Sequence, residues 1–123
     1  MANLKKSKKS ALLNDIPGVQ RGSIVSFRKP VGGSGLGIVV SNNLQNEHSA
    51  FLLVVPLEKR KARLKAPFAV DFGRAEGLRA LHCARCDWVT RTASSNIRKI
   101  ERAGVSDALV RELDRALEVA LNL

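Results

Sequence analysis

The sequence predicts a mainly β protein, a small antiparallel barrel of about five short strands with an amphipathic C-terminal helix. Three observations predict it. Short strand-like runs recur from Gly22 onward, separated by segments rich in Gly, Pro, Asn and Ser. One of them, Ala50–Leu57 (AFLLVVPL), is nearly continuous in apolar residues and has the length of a buried strand. At the end of the chain the period changes. Leu109, Val110, Leu113, Ala116, Leu117, Ala120 and Leu121 recur at spacings of three and four, with charged residues between them.

The first 20 residues form a basic tail ahead of one domain spanning 21–123. Lys5, Lys6, Lys8 and Lys9 read either as a solvated tail or as an electrostatic arm for nucleic acid. Ser10–Asp15 has the composition of one helical turn, broken by Pro17 and Gly18. Gly22–Phe27 reads as the first strand. Pro30–Gly35 is a Gly-rich loop without the Gly-Lys-Ser/Thr ending of a phosphate-binding loop, which favours a hairpin. Ile38–Ser41 reads as the second strand and Asn42–Ser49 as a polar turn. The third strand is Ala50–Leu57, in which Pro56 lacks an N–H and belongs at a strand end or bulge. Glu58–Lys65 carries Lys59, Arg60, Lys61, Arg63 and Lys65, either a solvated loop or a phosphate-binding surface. Phe68–Phe72 alternates as a fourth strand and Gly73–Gly77 turns the chain. Ser94–Ala103 reads as one or two helical turns ended by Gly104. Ser106 is a good N-cap for the last helix.

The remaining stretch, Ala80–Ala93 (ALHCARCDWVTRTA), reads as the fifth strand and holds both cysteines and the single tryptophan. Residues two apart in a strand share a face, roughly 6.5–7 Å apart. Arg85 and Asp87 therefore share one face, and Ala84, Cys86 and Trp88 share the core face. Cys83 and Cys86 form a CxxC, but their odd spacing points the sulfurs to opposite faces, which argues against a metal or redox site.

The totals bound the function. The chain has 123 residues, 45% hydrophobic, and a net charge of +10. Residues 101–123 set three arginines against five acids, a net of −2, so residues 1–100 carry +12. That surface favours a polyanionic partner. Two cysteines do not make a disulfide scaffold, which points to a reducing compartment. No apolar run is long enough to span a bilayer, and no signal peptide is evident. The cytoplasm is the expected location.

One chemistry open to the Arg85–Asp87 pair, beside a plain structural ion pair, is metal-free RNA cleavage. The 2′-hydroxyl of RNA can attack its own phosphate, given a base, a proton donor and cations for the phosphorane. Asp87 has the chemistry of the base and Arg85 that of the phosphorane clamp. Arginine is a poor proton donor. A plain ion pair on a strand accounts for the same two residues.

Six segments resemble the MazF/PemK family of toxin endoribonucleases. They are RGSIV, IVVSNN, LLVVPL, PFAVDF, RCDWVTRT and DALVRELDRALEVALNL, in family order from about Arg21 to Leu121. RCDWVTRT is similar to the family's RCDQ-x-RT segment. The resemblance implies an SH3-like barrel with a C-terminal helix, a homodimer, and sequence-selective cleavage of single-stranded RNA without a cofactor. It also implies inhibition by a MazE-like antitoxin. It makes Arg85 and Asp87 catalytic. The departures are specific. Gly35 and Leu36 stand where the family has a catalytic Arg followed by Pro, and Glu58 stands where a catalytic Thr or Ser is common. Trp88 replaces Gln. Arg28, Lys29 or Lys59 is available to supply the lost charge and Glu58 to act as a base. Arg60, Lys61, Arg63 and Arg91 complete the expected RNA-binding set. A second reading is a MazF-like fold that binds RNA or a partner protein without cutting.

Overall fold

A computed structural model describes residues 18–29 and 31–123. The lysines before Gly18 and the turn expected at Ser10–Asp15 lie outside the described residues. The described strands are β1 (Ile24–Arg28), β2 (Ser34–Val39), β3 (Phe51–Lys59), β4 (Ala69–Phe72), β5 (His82–Arg85), β6 (Thr90–Ala93) and β7 (Ile97–Arg102). Among the described residues two helices accompany them, α1 (Asn43–His48) and α2 (Asp107–Leu121). The strands form one antiparallel sheet in the order β4-β5-β3-β2-β1-β7, with β6 also on β3. The end strands β4 and β7 are not joined, so the barrel is open.

β3 is the spine of the sheet. β2 pairs with one edge of it, while β6 and β5 follow one another along the other. Leu57 pairs with Ala84 and Val54 with Thr90, so three steps along β3 match six along the opposing chain. The three surplus residues, Cys86, Asp87 and Trp88, form a 3₁₀ turn. The stretch from Ala80 to Ala93 is therefore two strands and a turn, not one strand. Strand alternation ends at Arg85, and the turn carries Trp88 to the surface, 45% exposed, instead of into the core. Pro56 falls in the gap between the two partner segments of that edge, where a missing N–H breaks no bond to β5 or β6.

Both faces of the sheet are buried, by alternating residues. Val55 and Leu57 join Ile24, Ile38, Val70 and Phe72 under α2. Leu52 and Val54 join Val25, Phe27 and Val39 on the other side. Helix α2 contributes Leu109, Leu113, Ala116 and Leu117 to the first cluster, and burying a side chain such as Leu113 is worth about 1.5–3 kcal/mol. Ser106 caps α2 as its sequence implies, its Oγ accepting from Leu109 N–H at 3.2 Å.

Two further differences from the sequence reading have local causes. The polar segment after β2 is a short helix, because Asn42 Oδ1 accepts from Gln45 N–H at 2.8 Å and caps it. The region expected to be helical turns is a 3₁₀ turn at Ser94–Asn96 followed by β7. Ile97 and Ile100 are three apart, which does not fit simple alternation. A bulge reconciles them: Val25 pairs with Ile100, Ser26 with Lys99 and Phe27 with Ile97, skipping Arg98.

Candidate active site

The charged face lies where β4, β5 and β3 run side by side. Glu58 pairs with Cys83 and Cys83 with Asp71, so these three form a row across the strands. Arg85, two residues on from Cys83, shares that face and pairs with Ala69. Leu57, Ala84 and Val70 form the parallel row on the core face.

Arg85 and Asp87 form a two-point ion pair. Nε donates to Oδ1 at 3.2 Å and Nη2 to Oδ2 at 2.8 Å. The 3₁₀ turn makes this possible by folding Asp87 back toward the strand that carries Arg85. The guanidinium packs on Trp88 at 4.1 Å from the ring centre, and on Phe68 at 5.4 Å. Cys86 N–H donates to the Phe68 carbonyl at 2.9 Å, which fixes the turn against the segment leading into β4. Donating to the Asp87 carboxylate raises the affinity of Arg85 for its proton, with Glu58 adding through space, so Arg85 is a permanent cation.

Glu58 accepts from Arg60 Nη1 at 3.0 Å. Arg63 Nε stands 3.5 Å from Asp71 Oδ2, and Asp71 Oδ1 is buried without a hydrogen-bond partner among the described residues. Beneath these charges Cys83 is buried, 1% exposed. Burial pushes its thiol up; Asp71 reinforces this, Arg60 opposes it, Glu58 raises it further and Arg85 opposes it. Cys86 lies in the core under α2, and burial pushes it up to about 11. The two sulfurs thus occupy different faces. His82 Nδ1 is 2.9 Å from the Ala80 carbonyl. Among the described residues no group of three or more His, Cys, Asp or Glu could share a metal ion.

The other expected residues divide between two regions. Lys61, Arg63 and Lys65 are exposed in the loop between β3 and β4, and Lys59 is exposed at the end of β3. Arg28 ends β1 opposite Ser34. Lys29 lies over Gly35: a Cβ built at Gly35 would meet Lys29 Cε at 2.4 Å. A Cβ at Gly37 would point at Val54 and Phe27, so the side-chain side of β2 here is the Leu52–Val54 side of β3. Pro56, the partner of Gly37, and Glu58 continue that side. Lys29 and Glu58 therefore belong to one face of the sheet. Arg91 does not join them. It pairs with Leu53, on the opposite face of β3, and stacks on Phe51 at 4.1 Å.

A family model for PemK-like, MazF-like toxins of type II toxin–antitoxin systems matches residues 20–121. The chain belongs to that family. An endoribonuclease in complex with its cognate antitoxin, from a mycobacterial species, is 25% identical with a TM-score of 0.70, over 85% of this chain and 95% of that one. The Mycobacterium tuberculosis toxin MazF-mt6 is 14% identical with a TM-score of 0.72, over 82% and 97%. A MazE–MazF structure from Deinococcus radiodurans is 16% identical with a TM-score of 0.64, over 88% and 98%. No curated protein matches the sequence.

On this PemK/MazF-like frame, the packing of Arg85 on Phe68 and Trp88 is the part the sequence reading missed. The signal that locates it is Phe68 at the mouth of β4, one residue before Ala69, the partner of Arg85. A separate groove of about 570 Å³ lies along α2, lined by Val40, Leu53, Val89, Val110, Leu117 and Leu121 among others. It is mainly apolar and includes none of the charged residues around Arg85. No helix among the described residues is long and apolar enough to cross a membrane.

Proposed function

We propose that this toxin is a sequence-selective, metal-independent endoribonuclease that cuts single-stranded RNA by 2′-hydroxyl attack. The observation that carries the reading is the Arg85–Asp87 ion pair. It is held outward by a 3₁₀ turn, packed on two aromatic rings and bordered by a cationic loop.

An entering phosphate takes over N–H groups of Arg85, which frees Asp87 to accept the 2′-hydroxyl proton. The 2′ oxygen attacks phosphorus, and Arg85 balances the charge of the phosphorane. Arg85 holds its proton too tightly to protonate the leaving 5′ oxygen. Lys29, lying over the side chain that Gly35 lacks, is the donor and second cation. Glu58, on the same face, is a second carboxylate for proton transfer. Arg28, Lys59, Arg60, Lys61 and Arg63 hold flanking phosphates. Arg91 is set aside from this group by its place on Phe51.

The toxin acts in the cytoplasm as a homodimer and is inhibited by a MazE-like antitoxin. Complexes of that kind among the structural neighbours support the antitoxin. The apolar groove along α2 offers a surface for protein partners. A second reading, a fold that binds RNA without cutting it, is favoured by Gly35 and Glu58 at two family catalytic positions. Induced expression separates the two. Growth arrest with RNA fragmentation for wild type, abolished by combined Arg85→Ala and Asp87→Ala, supports the nuclease. Arrest that survives the double substitution contradicts the site. Gel shifts with intact RNA favour the binder.

A further inference from the structure

Trp88 is a large apolar ring left 45% exposed beside the charged pair. Its position is built by the fold. Cys86 is anchored in the core and bonded to Phe68, so the tight 3₁₀ turn swings the next two side chains outward. The Trp88 carbonyl accepts from Thr90 Oγ1 at 3.2 Å, which secures the far end of the turn. Part of the indole faces the Arg85 guanidinium, and the rest is open. An aromatic surface next to a phosphate clamp, with exposed lysines in the loop after β3, matches the requirements of a single-stranded nucleic acid: charge for the backbone and a flat ring for a base.

We infer that Trp88 is a nucleobase-stacking platform, on which the base next to the phosphate held by Arg85 lies in the RNA complex. The inference rests on the nucleic-acid reading of the site and does not require that the RNA be cut. Stacking uses the flat face that every base has, so the platform adds affinity for single strands and leaves the choice of cleavage sequence to other contacts. The guanidinium against Phe68 and Trp88 links the two functions. A base on the indole brings its own backbone to the cation that the same ring orients.

The chain contains one tryptophan and no tyrosine, so its emission reports on Trp88 alone. The full-length protein is titrated with a fluorescently labelled, non-cleavable 2′-O-methyl oligonucleotide pool and with abasic strands of equal length. Binding is read by anisotropy and stacking by tryptophan emission. The platform predicts emission quenched in step with binding for strands that carry bases, and little change with abasic strands. Trp88→Ala weakens binding of the base-carrying pool by about five- to a hundredfold and that of abasic strands much less, and Trp88→Phe recovers part of the loss. Unchanged emission on bound oligonucleotide, with Trp88→Ala binding as tightly as wild type, overturns the platform and leaves the nuclease reading standing. A loss of kcat alone in Trp88→Ala, with binding intact, reduces Trp88 to a residue that positions Arg85 and also overturns it. Absence of binding to every strand overturns both the platform and the reading beneath it.

Discussion

Arg85 and Asp87 meet through two hydrogen bonds, of 3.2 and 2.8 Å, across a 3₁₀ turn inserted into the strand register. The pair is therefore preformed in the free protein. Its guanidinium, partly exposed, already packs on Phe68 and Trp88, and its carboxylate is one ligand exchange from being free. Conversion of this resting pair into base and clamp is the central claim about the site.

Asp87→Asn keeps an acceptor for Arg85 and removes the base. Cleavage by this variant is expected to fall about 10²- to 10⁴-fold, with RNA affinity near that of wild type. Arg85→Lys keeps the charge but loses the two-point fork and its stacking on the rings, so cleavage falls there too. Both sites are on the surface, and melting temperatures close to wild type are expected for both variants. Single-turnover kinetics and binding titrations on the same preparations check this.

Gly35 and Gly37 lie on one strand but predict different outcomes. A methyl at Gly35 falls 2.4 Å from Lys29 Cε, the far part of a flexible side chain, which moves aside. Gly35→Ala therefore folds normally and loses cleavage rate by displacing Lys29. A methyl at Gly37 falls 2.3 Å from Val54 Cγ1 and 2.9 Å from a Phe27 ring carbon, inside a packed core. Gly37→Ala is expected to cost about 1–3 kcal/mol of stability through overpacking. Urea denaturation and cleavage assays on both variants distinguish the two effects.

The cationic loop predicts salt dependence. For a single strand, each phosphate neutralised contributes about 0.7 to the slope of log K against log salt. Combined Lys61→Ala and Arg63→Ala is expected to make the slope shallower by up to about 1.4 and to weaken all RNA sequences alike. Binding titrations at several salt concentrations read both quantities.

The thiols predict alkaline instability. Burial raises Cys86 from its ordinary value of 9.0 to about 11 in the folded protein, while the unfolded chain keeps the ordinary value. Between these values the unfolded state has lost the proton and the folded state has kept it. Stability is thus full below pH 9 and falls as pH rises toward 11, by about 2–3 kcal/mol for a shift of this size. Denaturation midpoints at stepped alkaline pH measure it. Cys86→Ser, which carries no thiol to titrate, flattens that part of the profile.

The parts of the fold that were legible in the sequence are those where one period holds along an element. β3 follows from AFLLVVPL, and α2 from apolar spacings of three and four behind the Ser106 cap. The parts that were not legible are those where the period is broken. Ile97 and Ile100 conceal β7, because a bulge rather than alternation brings both to the core. Trp88 reads as a core residue only if the strand continues, and three surplus residues against β3 turn it outward. Though a 3₁₀ turn rather than a shared strand face produces it, the nearness of Arg85 and Asp87 was legible. The stacking of Arg85 on Phe68 was not, since it depends on β4 pairing with β5, a relationship without a local signal. The nearness of Lys29 to Gly35 likewise depends on the hairpin, in which Gly32 and Gly33 take positive φ and return the chain.

The most direct measurement of the central claim is the chemistry of the cut ends. Purified protein is incubated with mixed single-stranded RNA in EDTA, and the products are mapped at both ends, beside a substrate with 2′-deoxyribose at the scissile nucleotide. The expected result is a 2′,3′-cyclic phosphate on one fragment, a 5′-hydroxyl on the other, no cleavage of the 2′-deoxy substrate, and cleavage by Asp87→Asn slowed by about 10²- to 10⁴-fold. Intact RNA under all conditions, or cleavage of the 2′-deoxy strand, would contradict it.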